Sequence, residues 1–174
     1  GLYNDSYFIR SVKDNKNVTI YKHKDNSKQT LNKNYTFILS ELLNNCYDNT
    51  IADYSQPTCL SIKPKLTKKY AIKTGSTNTD SWTIGYNKKV TTGIWVGYDS
   101  NKKLLKSDSK YSKNIWADTM ENYLRNDNDE WYTKPKNVIP VLVNPLNGKI
   151  ATNNSKRKKI IYYIKGTEPT ELDK

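Results

Sequence analysis

The first part of the chain combines short β-prone runs with one helical pattern. The runs Ser6–Val12 and Asn17–Lys22 flank the turn-forming stretch Lys13–Lys16 and predict a β-hairpin. From Lys33 to Cys46 apolar side chains recur every three or four positions, which predicts a helix with Asn32 as its N-cap. The stripe on one face of this helix comprises Tyr35, Ile38, Leu39, Leu42, Leu43 and Cys46.

A long loop, Tyr47–Lys69, leads into the most β-rich part of the sequence. Three consecutive strands are predicted at Tyr70–Ser76, Trp82–Tyr86 and Thr92–Tyr98, with a tight turn at Asn87–Lys89 between the last two. Glycine weakens a strand and often marks a bulge or the close approach of another backbone or ligand. Four of the seven glycines lie here, at Gly75, Gly85, Gly93 and Gly97.

The remaining pattern predicts one more helix and two more strands. The helix covers Ile115–Arg125. Val138–Val143 reads as an edge strand because Pro140 interrupts it, and Lys159–Lys165 reads as a second strand. The fold class is therefore α+β, with antiparallel strands and packed helices. We divide the chain into residues 1–125 and a linker with a small β-rich tail, residues 126–174. One face of the predicted helix carries Trp116, Thr119, Met120, Tyr123 and Leu124.

The composition adds a strong positive charge. The chain has 174 residues and a formal net charge of +12. Only Arg10, Arg125 and Arg157 are arginines, so the charge comes from lysines spread along the chain. Arginine is the residue that best reads bases and clasps phosphate, and its scarcity argues against nucleic-acid binding. A solvated lysine-rich surface accounts for the charge.

Other classes of site find little support in the sequence. The single histidine, His23, and the pair Cys46 and Cys59 give no cluster for a zinc site, and no metal or other cofactor is predicted. The two cysteines could form a disulfide, but one pair is no disulfide framework and the sequence leaves the pairing open. No apolar run is long enough to span a bilayer, so any membrane anchor is expected outside this chain.

The segment Lys73-Thr74-Gly75-Ser76 carries chemistry suited to a peptide with a free carboxyl end. On a strand, Thr74 and Ser76 project to one face and can hold a carboxylate by charge-assisted hydrogen bonds, with the Lys73 ammonium nearby. Gly75 lets a ligand backbone lie alongside, so an extended peptide can add as a further strand. The backbone N–H of Ser76 is placed to donate into an oxyanion hole.

These residues resemble the Lys-Thr-Gly motif of the penicillin-binding proteins. The run Ser81–Tyr86 followed by Thr91–Asp99 is similar to the paired strands after that motif in class A, bifunctional members. Asn114–Leu124 resembles their closing helix and Lys165–Glu171 their tail. The resemblance covers nearly the whole chain and is strongest from Tyr70 to Asp99. The loop Tyr47–Lys69 departs from the family, since the usual Gly-Thr-Gly turn is absent.

The resemblance implies a fold, an activity and a set of site residues. The fold would be the C-terminal portion of the transpeptidase, or serine β-lactamase-like, domain. The activity would be D,D-transpeptidation on stem peptides ending in D-Ala-D-Ala, with β-lactams as inhibitors, at the extracytoplasmic face of a bacterial membrane. It implies Lys73 and Ser76 as catalytic residues and Thr74, Gly75, Ser76 and Thr77 as substrate-binding residues.

The nucleophile that this activity needs is not evident in the chain. In the family it is the serine of an SxxK motif, which precedes Lys-Thr-Gly together with an SxN motif. The matches to SxxK at Ser100, Ser107 and Ser155 lie in polar loops after Lys73. Of the SxN matches, Ser76 overlaps the Lys-Thr-Gly motif and Ser112 resembles a helix cap. We reject all five as catalytic motifs.

The chain is accordingly expected to be the C-terminal part of a larger protein and to be inactive alone. The partner motifs would lie on preceding chain, and the N-terminal remainder of the domain would cover an exposed sheet edge and apolar face. Two alternatives stay open: a non-catalytic peptide- or envelope-binding module derived from this fold, and, less favoured, a β-lactamase.

Overall fold

The structure is a computed structural model that describes residues 1–100, 102–105 and 107–174. It contains two α-helices and nine short strands, and all of the strand pairs are antiparallel. The predicted α+β class with antiparallel sheets and packed helices is confirmed at this level.

Residues 1–31 form an arm with little attachment to the rest. They contain β1 (Leu2–Tyr3) paired with β4 (Lys28–Gln29), and β2 (Ser11–Lys13) paired with β3 (Thr19–Lys22). The predicted hairpin is present, but its first strand begins five residues later than the predicted Ser6. The first strand is short because its partner, β3, has only four residues with which it can pair. No residue of the arm is buried.

The first helix, α1 (Lys33–Asn44), starts as predicted, because the Asn32 side chain accepts the backbone N–H of Asn34 at 2.8 Å. The apolar stripe predicted on this helix is only partly covered. Phe37 and Ser40 are buried, whereas Leu39 and Leu42 are about half exposed. Periodicity shows which face of a helix is apolar, but packing decides which face is covered.

The loop after α1 is more ordered than predicted. It holds a 3-10 turn at Asn45–Tyr47 and a second 3-10 helix at Leu60–Lys65, and Ile62 of the latter is buried. Cys46 and Cys59 form a disulfide, which answers the question that the sequence left open. The bridge ties the end of α1 to the start of the second 3-10 helix.

The central sheet has the order β5-β6-β7, with β5 (Ala71–Ser76), β6 (Asp80–Tyr86) and β7 (Thr91–Gly97). All three predicted strands are confirmed to within two residues at each end. The turn between β6 and β7 is fixed by Asn87, whose side chain accepts the backbone N–H groups of Lys89 and Val90. Strand β5 lies at an edge of this sheet.

The second helix, α2 (Ser109–Tyr123), packs on β6 and β7 and begins six residues before the predicted Ile115. Ser112 therefore lies inside the helix, and its predicted role as a cap is wrong. Of the predicted face, Tyr123 is 70% exposed. The core between α2, β5 and the 3-10 helix comprises Cys59, Ile62, Tyr70, Ile72, Trp116, Ala117, Met120 and Leu124.

The tail forms the hairpin β8 (Val138–Val143) and β9 (Lys159–Ile164), in which Pro140 pairs with Tyr162. Its contacts with the remainder of the protein include the Phe37 and Tyr162 rings, which meet edge to face with centroids 5.3 Å apart, and the ion pairs Lys159–Asp48 and Arg157–Asp53. The division of the chain at residue 126 stays a prediction.

The Asp48–Lys159 pair predicts an acid-dependent docking of the tail. Burial raises the pKa of the Asp48 carboxyl, but hydrogen bonds from Lys159 and Thr50 outweigh it and lower the pKa from 3.8 to about 2. A depressed carboxyl pKa stabilises the fold fully above the unfolded value near 4, and this stabilisation is lost as the pH falls toward 2. We expect Asp48→Asn to lower the free energy of unfolding at pH 7 by about 1 kcal/mol after allowance for solvent screening.

Urea denaturation of the wild type and Asp48→Asn between pH 7 and pH 3 measures this difference. It should shrink steadily below pH 4, whereas Asp5→Asn in the exposed arm should leave stability unchanged throughout. A difference that stays constant with pH would contradict the role given to the charge of Asp48.

Candidate functional site

The predicted motif occupies the edge strand β5, and its side chains alternate between the two faces of the sheet. Residues directly opposite each other on antiparallel strands project to the same face. Thr74 pairs with Thr83 and Ser76 with Ser81, and these partners contact α2. Thr74 and Ser76 therefore lie on the α2 face.

Lys73 and Gly75 lie on the opposite face. Gly75 pairs with Trp82, and Lys73 pairs with Ile84. The Lys73 ammonium donates a hydrogen bond to the carbonyl oxygen of the next residue, Thr74, at 2.6 Å. The two faces of β5 thus carry different chemistry at one edge: hydroxyls on one side, an ammonium and a bare glycine on the other.

A small open pocket of about 120 Å³ lies between β5, β6, α2 and the loop that precedes Cys59. Its lining is rich in hydroxyl groups and includes one ammonium group, that of Lys113. Lys73 and Thr77 do not line it. The residues around the pocket are Thr58, Thr74, Gly75, Ser76, Ser81, Trp82, Ser109, Ser112 and Lys113.

The floor of the pocket is a buried hydroxyl cluster that joins sheet and helix. Ser112 Oγ lies 2.9 Å from both Ser81 Oγ and Thr83 Oγ1, and all three residues are almost fully buried. Buried hydroxyls that satisfy one another fix the spacing of the elements that carry them. The cluster therefore holds α2 at a set distance from β6, behind Thr74 and Ser76.

Thr58 closes the pocket from the side of the loop. Its hydroxyl accepts a hydrogen bond from Thr74 Oγ1 at 2.9 Å, and its carbonyl oxygen accepts one from Lys113 Nζ at 2.9 Å. The next residue, Cys59, is held by the disulfide and by its N–H, which donates to the carbonyl oxygen of Cys46 at 2.9 Å. The disulfide thus anchors the loop where it meets the motif strand.

The turn after Ser76 is fixed by polar contacts around Asp80. The indole N–H of Trp95 donates to Asp80 Oδ1 at 2.9 Å, and the hydroxyls of Thr77 and Thr79 each donate to Asp80 Oδ2 at 2.8 Å. These bonds, the one from Trp95 foremost, hold the pKa of Asp80 below its usual value. Since the Thr77 hydroxyl is engaged in this turn, its predicted contact with substrate stays a prediction.

Two lysines beside this edge have no carboxylate partner. Within residues 1–100, 102–105 and 107–174, neither Lys73 nor Lys113 forms a salt bridge, although lysines elsewhere in the chain do. Hydroxyl donors combined with unpaired ammonium groups favour an anionic group with several acceptor oxygens, such as a carboxylate.

A serine activated by a neighbouring base is not found at this pocket. Of the SxxK matches, Ser107 precedes α2 and donates to Asp108, and Ser155 lies in the tail, where its hydroxyl accepts the N–H of Thr152. None of the SxxK serines lines the pocket. The arrangement offers hydroxyl, backbone N–H and ammonium donors to a carbonyl compound. That the nucleophile lies outside this chain stays a prediction.

Among residues 1–100, 102–105 and 107–174, no group of three or more His, Cys, Asp or Glu side chains is placed to hold a metal ion. No helix in these same ranges has the length and apolarity needed to cross a membrane.

The sequence identified the motif strand but not the six other residues that line the pocket, among them Thr58, Ser112 and Lys113. Nothing in the sequence around Thr58 indicated a site residue, because only the folded path of the loop brings Thr58 beside Thr74. Ser112 was interpreted as a helix cap and Lys113 was not assigned a role, because the polar sequence around them obscured the start of α2. The burial of Ser112 against Ser81 could have been predicted only if the register of the sheet were known.

Sequence comparison relates the chain to known proteins. A family model described as "Penicillin-binding protein 1A, C-terminal domain" matches residues 134–174. Penicillin-binding protein 2D of Bacillus subtilis is 34% identical over 166 residues, which cover 95% of this chain and 24% of that protein. Penicillin-binding protein 1A of Aquifex aeolicus is 35% identical over 102 residues, which cover 56% of this chain and 14% of that protein.

Structure comparison agrees at the level of the fold. The crystal structure of penicillin-binding protein 1A from Haemophilus influenzae superposes with a TM-score of 0.78 and 18% sequence identity. The match covers 98% of this chain and 30% of that one. The chain thus spans between about a seventh and a third of the length of these proteins.

Proposed function

The chain belongs to the penicillin-binding protein family and matches the C-terminal part of its class A members, and from this premise we propose that it forms one wall of a serine D,D-transpeptidase site. One observation carries the proposal. The sequence Lys73–Ser76 lies on a sheet-edge strand whose hydroxyls open into a pocket with a positive rim. The substrate would be a stem peptide ending in D-Ala-D-Ala.

In this proposal the ligand lies along β5. Its backbone adds to the free edge of the strand, with Gly75 leaving room for it. Its terminal carboxylate accepts hydrogen bonds from the hydroxyl of Ser76 and from that of Thr74, whose single O–H turns away from Thr58 when the ligand binds. Lys73 supplies an ammonium on the opposite face, positioned to favour the deprotonated form of a serine hydroxyl brought beside it.

The reaction requires a serine from another segment. Its oxygen bonds to the carbonyl carbon of the penultimate D-Ala, and the backbone N–H of Ser76 stabilises the oxyanion that forms. The peptide C–N bond then breaks, and the terminal D-Ala leaves with a proton on its amine. The acyl-enzyme passes its acyl group to the amine of a second stem peptide. With a β-lactam, the ring amide takes the place of the peptide bond.

The partners and location follow from the same proposal. Peptidoglycan lies outside the cytoplasmic membrane, so the domain would act at the extracytoplasmic face, with its membrane anchor outside this chain. The remainder of the domain would carry the SxxK and SxN motifs. It would also cover apolar side chains that are about half exposed here, among them Trp82, Ile84 and Leu39.

Labelled penicillin tests the proposal. We expect the complete polypeptide that contains this chain to gain one covalent penicillin, on a serine outside residues 1–174. The chain alone should gain none. Intact mass and peptide mapping read out both results. An adduct on a serine within residues 1–174 would show that the nucleophile was misassigned. A complete polypeptide that binds acetyl-D-Ala-D-Ala but is never acylated would favour the non-catalytic peptide-binding alternative.

A further inference from the structure

The ammonium group that lines the pocket belongs to Lys113, on the face of β5 opposite Lys73. Lys113 extends from α2, directly after the buried Ser112, and its side chain is partly buried against the pocket. Because Ser112 is fixed by Ser81 and Thr83, the backbone that carries Lys113 is fixed as well. The position of this lysine is therefore set by the core of the domain.

The Lys113 ammonium is oriented but not neutralised. Its Nζ donates to the carbonyl oxygen of Thr58 at 2.9 Å. An ammonium has three N–H donors, so this bond leaves capacity for a ligand. Among the described residues no carboxylate lies within salt-bridge distance of it. An ammonium held by a neutral carbonyl keeps its full charge for a ligand.

Lys113 is connected to the motif strand through Thr58. The carbonyl oxygen of Thr58 binds Lys113, and the hydroxyl of the same residue binds Thr74 Oγ1 at 2.9 Å. The predicted carboxylate-binding hydroxyl and the Lys113 ammonium thus share one neighbour. Lys73, in contrast, bonds the Thr74 carbonyl from the other face of the strand.

We infer that Lys113 is a specificity-determining residue, which selects ligands with a free terminal carboxylate by placing a positive charge on the α2 side of the pocket. This inference rests on the proposed function and extends it. Thr74 and Ser76 hydroxyls can bind a carboxylate or a neutral ester, since both have acceptor oxygens. A second ammonium favours the anion specifically.

A structural role for Lys113 makes a different prediction. If its bond to Thr58 only ties the loop to α2, losing it would loosen the pocket for every ligand alike. Lys113→Gln separates the two roles, because glutamine is neutral but retains an N–H donor. Lys113→Arg keeps the charge. Lys110→Gln is the matched control: Lys110 lies on the same helix, is exposed, and does not line the pocket.

The experiment measures second-order acylation rate constants in the complete polypeptide. The probes are a fluorescent penicillin with its free carboxylate and the methyl ester of the same compound. We expect Lys113→Gln to slow acylation by the carboxylate about tenfold or more, the effect of one lost charge-assisted hydrogen bond, and acylation by the ester less than about twofold. Lys113→Arg should remain within about threefold of wild type, and Lys110→Gln should change neither rate.

Each other outcome overturns the inference in a recognisable way. Equal slowing with both probes would assign Lys113 a structural role. No slowing with either would remove it from the site. If both probes acylate the wild type equally fast, the proposed acyl-enzyme reaction is retained. The inference that Lys113 selects a free carboxylate is then wrong. A wild type acylated by neither would refute the proposed function and this inference with it.

Discussion

Gly85→Ala should destabilise the domain by about 3 kcal/mol, the upper range for overpacking a well-filled core. A Cβ at this position would lie 2.4 Å from Cζ2 and 2.8 Å from Cε2 of Trp116. The Trp116 indole cannot move aside to make room for this Cβ. It is fully buried, its N–H donates to the carbonyl oxygen of Thr92 at 3.1 Å, and the Tyr70 ring meets it edge to face at 5.3 Å.

Gly93→Ala is the control for this substitution. Gly93 faces Gly85's neighbour Ile84 across the same sheet, and its added Cβ would meet only Ile84 Cγ1, at an ordinary 3.6 Å. We expect a change within about 0.5 kcal/mol, because the reduced freedom of the unfolded chain offsets any small contact cost. Chemical denaturation of both variants measures the difference. Similar losses in the two would show that Trp116 does not make Gly85 necessary.

These two glycines illustrate what the sequence could reveal. The clustering of glycines predicted close approaches in the sheet, and at Gly85 the approach is that of the Trp116 ring. The strands themselves were predictable because their apolar, aromatic and β-branched residues are bounded by turn residues such as Asn87. The partner that needs each glycine was not predictable, because it comes from a distant helix.

Helix faces and boundaries show the same limit. The N-cap of α1 was predictable, since an asparagine side chain bonds within its own turn. The buried face was not, because Phe37 and Ser40 are covered by partners far away in the sequence, such as Tyr162 and Tyr86. The early start of α2 was missed since its first residues are polar, and Ser112 is buried only because Ser81 and Thr83 satisfy it.

The candidate site divides in the same way. Its motif strand is local and could be identified from four consecutive residues. Its pocket is assembled from a loop, two strands and a helix, and Thr58, which bonds Thr74, lies next to the disulfide-bonded Cys59. A single sequence therefore predicted the chemistry of the strand but not the second ammonium that faces it.

Gly75→Val tests whether the remaining glycine of the motif is required by the ligand and not by the fold. A Cβ at Gly75 would meet only Trp82 Cβ, at 3.8 Å, and the residue is exposed at the edge of the sheet. The protein itself therefore leaves space for a side chain. In the proposed function the ligand backbone occupies that space. A branched side chain at Gly75 would therefore displace the bond of the ligand that is to be broken. A displacement of about 1 Å can cost about a hundredfold in rate.

We accordingly expect Gly75→Val to lower the acylation rate constant of the complete polypeptide about a hundredfold, with stability nearly unchanged. Gly93→Val is the matched control, because Gly93 lies on the same sheet face but on β7, two strands away from β5. It should leave acylation as it is. If Gly75→Val reacts at the wild-type rate, the ligand does not lie along β5. If it unfolds the domain as Gly85→Ala does, the fold requires this glycine too, and the distinction between the two glycines fails.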